Sequence, residues 1–180
     1  VLTNRVDLYE KLKLLRNYGK KNDPFSSQIL GVNSRLDELQ AAILRVKLPD
    51  LDAMNEARAV RVALYQNGLK DLPLSFLKEL NGAKSNHHIL TVICPEDRDA
   101  LMEFLESHGI QTNVYYPQPL HSMPAYRPYV RDDQKFPVAE QLSREAIALP
   151  LYPELKLETV HFVIDKIREF YSTRNNGVSE

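Results

Sequence analysis

Three short stretches of this chain combine residue types that can do chemistry. The first is Gly31-Val32-Asn33-Ser34-Arg35-Leu36-Asp37-Glu38. The amide of Asn33 and the guanidinium of Arg35 stand beside a helix start, whose unpaired N–H groups attract anions such as phosphate. Ser34 is expected to cap that helix. Asp37 and Glu38 then fall in its first turn, where negative charge suits the dipole. On spacing alone the simpler reading is a well-capped helix beside a solvated arginine. The second stretch is Tyr115-Tyr116-Pro117-Gln118-Pro119-Leu120-His121. Its prolines must leave a sheet, so two phenols and an imidazole sit on a stiff loop. Both groups donate and accept hydrogen bonds, which suits hydroxyls and phosphates, although a hydrogen-bonded surface histidine is the plainer alternative. Tyr126 and Tyr129 either join that surface or only pack it. The third stretch is His87-His88. Adjacent strand residues point to opposite faces, so this pair is poorly placed to chelate one metal. One packed and one exposed histidine is the expectation, and no metal site is expected. Cys94 has no base beside it and is expected to be a small buried side chain at a strand end.

These groups need elements to hold them. Leu8, Leu12 and Leu15 follow helical spacing, with Gly19 as the C-cap, after a strand tail at Val1-Leu2-Thr3. A polar loop runs from Lys20 to Ser27 through Asp23-Pro24. A helix from about Arg35 carries Leu36, Leu39, Ile43 and Val46 as one apolar stripe. Pro49 kinks or briefly breaks it, because proline lacks an N–H and clashes with the preceding turn. Leu51, Met54, Ala57, Arg61, Leu64 and Gly68 continue the pattern, with Arg45, Lys47, Arg58 and Arg61 read as surface charge. Turn chemistry at Leu80 to Lys84 sets a domain boundary, giving residues 1–80 and 81–180.

The second part has a strand–helix–strand rhythm. His88 to Ile93 is rich in β-branched residues and reads as a strand. A helix follows from Pro95–Asp99, with Leu101, Phe104 and Leu105 inward and Gly109 as its cap. Ile110 to Tyr116 alternate as a strand. Val138, Leu142, Ala146 and Ile147 read as one helical face, and Leu149 to Pro153 as an extended connector. Leu157, Val160, Ile164, Ile167 and Tyr171 make a last amphipathic helix, followed by a polar, frayed tail from Thr173.

The totals exclude several classes of function. Hydrophobic residues make up 43% and charged residues 26%, as in an ordinary globular protein. A formal net charge of -1 offers no basic face for nucleic acid. No apolar run is long enough for a membrane helix. A single cysteine cannot form an internal disulfide framework and fits a reducing, cytoplasmic compartment. Nucleophile-elbow, Walker and dinucleotide glycine motifs are missing from the chain.

Gly-x-Asn-x-Arg-Leu-Asp-x-Leu-Gln-Ala-Ala-Ile, from Gly31 to Ile43, resembles the signature of the DegT/DnrJ/EryC1/StrS sugar aminotransferases. These are fold-type I enzymes that use pyridoxal 5'-phosphate (PLP). The resemblance implies an α/β fold: the C-terminal half of such an enzyme, with the end of the large PLP-binding domain and the linking helices over 1–80. Residues 81–180 would form a small C-terminal α/β domain. It implies that Asn33 reaches across a homodimer interface to the cofactor phosphate of the other subunit, and Arg35 is assigned to the same cofactor-binding set. Tyr116 to His121 match the family's Tyr-Pro-x-Pro-Leu-His, which lines the nucleotide-sugar site, so Tyr115, Tyr116 and His121 are assigned to substrate. Many relatives have histidine at the place of Tyr115, which leaves its role open. His87-His88 resembles the family's aromatic-His-Leu strand opening.

The implied reaction moves an amino group, from glutamate, to a keto-sugar attached to a nucleotide, as in polysaccharide biosynthesis. It needs a Schiff-base lysine held at the cofactor. In the family that lysine precedes the matched region, and none of this chain's lysines sits in its motif. The chain therefore reads as the later half of a longer enzyme, inactive alone, with no catalytic residue assigned within it. Two alternatives remain: a sugar dehydratase branch with histidine replacing the lysine, and a non-catalytic dimerising module. Sequence upstream of Val1 would separate them.

Overall fold

The computed structural model describes residues 1–22, 25–131 and 133–176. The expected Asp23-Pro24 turn and the tail beyond Asn176 lie outside them. The chain divides into two compact units, Val1–Leu51 and Asp52–Glu180. Helix α3 (Leu51–Leu69) begins at this division and sinks Val62, Tyr65 and Leu69 into the core of the second unit.

In the first unit, α1 spans Val6–Leu15 and α2 spans Glu38–Lys47. Val1 to Thr3 form no strand and are fully exposed. Gly19, expected as the C-cap, lies three residues past it: Arg16 caps α1, and Gly19 at φ +72° turns the chain beyond the helix, its N–H donating to the Leu14 carbonyl at 2.8 Å. The start of α2 differs from expectation. Ser34 is not its cap; Asp37 is, in a capping box with Gln40, so the helix begins later. A carboxylate with a glutamine three residues on satisfies two orphan N–H groups at once, which a lone serine at 34 cannot match. Pro49 lies in a 3-10 turn over Leu48–Asp50, where its missing N–H costs no helical hydrogen bond. Of the expected stripe, Leu39, Ile43 and Val46 lie on α2 while Leu36 precedes its cap, and all four are exposed in this chain.

The second unit is built on a three-stranded antiparallel sheet, β1 (Ser75–Phe76), β2 (Leu90–Ile93) and β3 (Ala146–Leu149), in the order β1-β2-β3. Leu90 pairs with Leu149 and Val92 with Ile147. Those four side chains are buried. Residues Ile110 to Tyr116 do not make a full strand; they touch β3 through one bridge, Asn113 to Ala148. Ala146 and Ile147, expected on a helix, lie in β3 instead. Helix α5 (Pro137–Glu145) ends just before them, because the alanine and isoleucine are worth more as ladder and core residues than as another turn.

Helices α4 (Arg98–Ser107) and α6 (Leu157–Asn176) complete the core. Leu101 and Leu105 of α4 are buried with Val160, Val163, Ile164, Ile167, Phe170 and Tyr171 of α6. The frayed tail expected from Thr173 is still helical through Asn176. Gly68 is where α3 and α6 come closest: a Cβ there would stand 2.7 Å from the Ile164 side chain. Arg168 clips the same junction, donating to the Gly68 carbonyl at 2.7 Å and to both carboxylate oxygens of Asp71. That guanidinium holds the Asp71 carboxyl down to about 2. Arg58 and Arg61, expected to be free surface charge, are tied instead. Arg61 donates to the Leu155 carbonyl at 2.6 Å, and Arg58 to the Asn86 carbonyl at 3.1 Å. Their planar heads find backbone acceptors. Among the described residues no helix is long and apolar enough to cross a membrane.

Leu105 is fully buried between α4 and α6. Leu105→Ala removes its methyl groups and leaves a cavity, so urea unfolding should report a loss of about 2–5 kcal/mol. A loss near zero would mean that α4 is not part of the core.

Candidate functional site

The first cluster of interest is a clasp in the first unit. After α1 the chain turns through Tyr18 (φ 57°) and Gly19, and the segment 28–34 runs back alongside it. Val32 N–H donates to the Leu15 carbonyl at 2.8 Å, Tyr18 N–H to the Val32 carbonyl at 3.1 Å, and Ser34 N–H to the Arg16 carbonyl at 2.9 Å. Asn33 and Asn17 form an antiparallel bridge. The glycine at 31 is required by space: a Cβ there would stand 2.3 Å from the Gly19 nitrogen.

The clasp sets up Asn33 and Arg35. Arg35 Nε donates to Asn33 Oδ1 at 3.1 Å, and both residues are exposed. Asn33 also carries two NH₂ donors, and Arg35 presents its remaining N–H groups and a permanent positive charge. Such a donor-rich pair suits an anion with several oxygens. The helix dipole contributes less than expected, because α2 starts at Glu38 behind the Asp37 cap and its first turn is acidic.

The second cluster is built in the second unit around His121. Pro119 precedes a 3-10 turn over Leu120–Ser122, and Ser122 ties the turn to the Pro119 carbonyl through its N–H and its hydroxyl. His121 Nε2 lies 3.1 Å from Glu140 Oε1 on α5. Its ring stacks on Phe136, with centroids 4.6 Å apart. The His121 side chain keeps 19% exposure, and Glu140 keeps 45%. Tyr116, by contrast, is 80% exposed, and no hydrogen bond joins it to His121 among the described residues. Tyr126 and Tyr129 are exposed as well.

Tyr115 faces another feature. With His88, Gln111, Thr112 and Asn113 it lines an open cavity of about 480 Å³ beside the end of β3. His87 and His88 precede β2 and are not part of it. His87 takes φ +49°, which a strand residue does not, and its Nε2 stands 3.8 Å from Glu79. His87 is half-buried and His88 exposed, so the packed-and-exposed split holds although the strand argument for it does not.

Cys94 is buried at the end of β2, with Sγ 3.1 Å from the Tyr171 hydroxyl. Burial pushes its thiol up, away from the reactive thiolate.

Two residues escaped sequence reasoning, Phe136 and Glu140. They lie 15 and 19 positions beyond His121, and no local spacing links them to it. Their i, i+4 relation at the start of α5 was the available signal, since it places a ring and a carboxylate side by side.

Fold and side chains together define a class: an α/β protein presenting an exposed amide–guanidinium pair and a stiffened imidazole loop. The comparisons make the class specific. The model of the DegT/DnrJ/EryC1/StrS aminotransferase family matches residues 1–168, and the chain belongs to that family. It is 41% identical over 174 residues to the pleiotropic regulatory protein of Geobacillus stearothermophilus, covering 95% of this chain and 46% of that one. It is 38% identical over 171 residues to the dTDP-3-amino-3,4,6-trideoxy-alpha-D-glucose transaminase of Streptomyces venezuelae, covering 94% and 45%. The crystal structure of S. venezuelae DesV in complex with a ketimine intermediate superposes with a TM-score of 0.86 at 37% identity, again covering 94% and 45%. The α/β fold is thus that of the family's fold-type I enzymes. The chain spans less than half the length of these relatives.

The clasp is directly testable. Forcing a methyl group at Gly31 costs roughly 1–3 kcal/mol. In Gly31→Ala, amide exchange of Tyr18, Val32 and Ser34 should accelerate about tenfold or more by the usual conversion, while β2 and β3 stay protected. Unchanged exchange at Val32 would show that the close approach to Gly19 is not needed.

Proposed function

We propose that this chain supplies the phosphate-binding and sugar-binding parts of a PLP-dependent aminotransferase that acts on nucleotide-linked keto-sugars with glutamate as donor. The observation that carries this reading is the donor-rich pair of Asn33 and Arg35, set by the 3.1 Å bond between them in a chain of this family. Its chemistry fits the phosphate of PLP: exposed N–H donors and one fixed cation.

When bound, PLP supplies an electrophilic carbonyl and an electron sink for moving the amino group. The residues of this chain have other tasks. Asn33 and Arg35 hold the phosphate of the cofactor across the interface of a homodimer. The Asp37–Gln40 box fixes where the following helix begins. Tyr116 and His121, on their proline-stiffened loop, bind sugar hydroxyls or the diphosphate, and Tyr115 borders the same substrate. Fixing these groups in advance lowers the entropy lost on binding. Residues 1–80 then belong to the large domain and linking helices and 81–180 to the small domain. The enzyme works in the cytoplasm.

Asn33→Ala in the holoenzyme that contains this chain should weaken PLP binding roughly ten- to hundred-fold, as expected for losing one hydrogen bond to a charged group. A titration followed by PLP absorbance measures it. An unchanged dissociation constant would leave Asn33 with only its bridge to Asn17. The 180-residue chain alone, incubated with PLP, glutamate and keto-sugar nucleotides, should show no amino transfer, because none of its lysines lies in the cofactor-lysine motif. Turnover by the purified chain would overturn that assignment.

A further inference from the structure

We propose that Glu140 is a positioning residue that fixes the ring of His121 for substrate; this rests on the reading of His121 as a substrate-binding group. The carboxylate is an acceptor only, so the 3.1 Å contact requires that Nε2 carry the proton and donate it to Glu140. Nδ1 is then the ring nitrogen left for a sugar hydroxyl, and no protein group among the described residues hydrogen-bonds it. Phe136 fixes the remaining freedom by stacking on the ring at 4.6 Å with the planes 28° apart.

Both restraints come from one helical turn. Pro137 sits at the start of α5, where its preset φ suits the first turn and its missing N–H costs nothing. Glu140 N–H donates to the Phe136 carbonyl at 3.0 Å, which places residue 136 directly beneath residue 140. The Ser143 hydroxyl donates to the Glu140 carbonyl at 2.8 Å and closes the next turn. The loop offers no equivalent restraint of its own: Gln118 and Ser122 hydrogen-bond only to its backbone. A histidine on a 3-10 turn can rotate about χ1 and χ2. Here a carboxylate and an aromatic face from α5 hold one orientation, as partners behind a histidine ligand do in other sites.

The test joins a spectroscopic check of the hydrogen bond itself to a KM-against-kcat split, which a merely structural role would not move. In ¹H–¹⁵N spectra of the 180-residue chain, the Nε2–H of His121 should be visible because it is hydrogen-bonded, and Glu140→Ala should lose it. In the holoenzyme, assayed with a panel of dTDP- and UDP-linked keto-hexoses, Glu140→Ala should raise KM for the sugar about tenfold with kcat within about twofold, the effect of one charge-assisted hydrogen bond. Glu140→Gln keeps an acceptor and should recover most of both signals. Glu140→Met repeats the test should the alanine variant unfold α5. The double variant with His121→Ala should bind no worse than His121→Ala alone. If His121→Ala raises KM while Glu140→Ala leaves KM and the Nε2–H signal unchanged, the positioning role is overturned and the substrate role of His121 stands. If His121→Ala leaves KM unchanged, the substrate role fails and the proposal fails with it.

Discussion

The second unit depends on the close packing of α6 against α3 and the sheet. Gly68 allows it, because any side chain there would meet Ile164. Once the helices are that close, Val160, Val163, Ile164 and Ile167 of α6 are removed from water together with Tyr65 and Leu69 of α3. Area-proportional burial of this kind is the main favourable term in folding. The polar groups at the junction are then forced into pairs. Tyr65 donates to the Pro150 carbonyl, Arg61 to Leu155, and Arg168 to Gly68 and Asp71. For the part-buried Tyr65 and Arg61, losing the acceptor would cost more than the bond returns.

The His121 loop inherits its position from that core. Helix α5 runs directly into β3, whose residues Ile147 and Leu149 are buried against β2. A rigid strand therefore anchors the helix, and the helix presents Phe136 and Glu140 to the loop. The chain of dependence runs from apolar burial to strand register, from register to helix placement, and from there to one imidazole ring. Functional groups carried on loops are usual where a scaffold of this kind holds them.

The first unit is organised differently. Among its described residues only Gly19 is buried, so hydrogen bonds and close backbone contact hold the clasp rather than an apolar core. Asn33 and Arg35 gain their arrangement from that backbone and from each other. Leu36 and the α2 residues Leu39, Ile43 and Val46 remain exposed in this chain.

Much of this was legible in the sequence alone, and for a definite reason. Helical periodicity marked α1, α2 and α6, since apolar spacing is a local property that survives any tertiary arrangement. The Gly31 to Ile43 signature and the Tyr116 to His121 run marked the family, because both are contiguous. Burial of Cys94 followed from its place after a β-branched run. Tertiary structure alone decided the rest. Ala146 and Ile147 became strand because β2 offered a ladder and a core, which outweighs local helical preference. Arg58 and Arg61 became structural because carbonyls at 86 and 155 lay within reach. Asp37 displaced Ser34 as the cap because the clasp holds residues 32–34 in backbone pairing with residues 15–18. Glu140 met His121 across 19 positions, a contact that no periodicity encodes and that only the packing of α5 beside its loop could make.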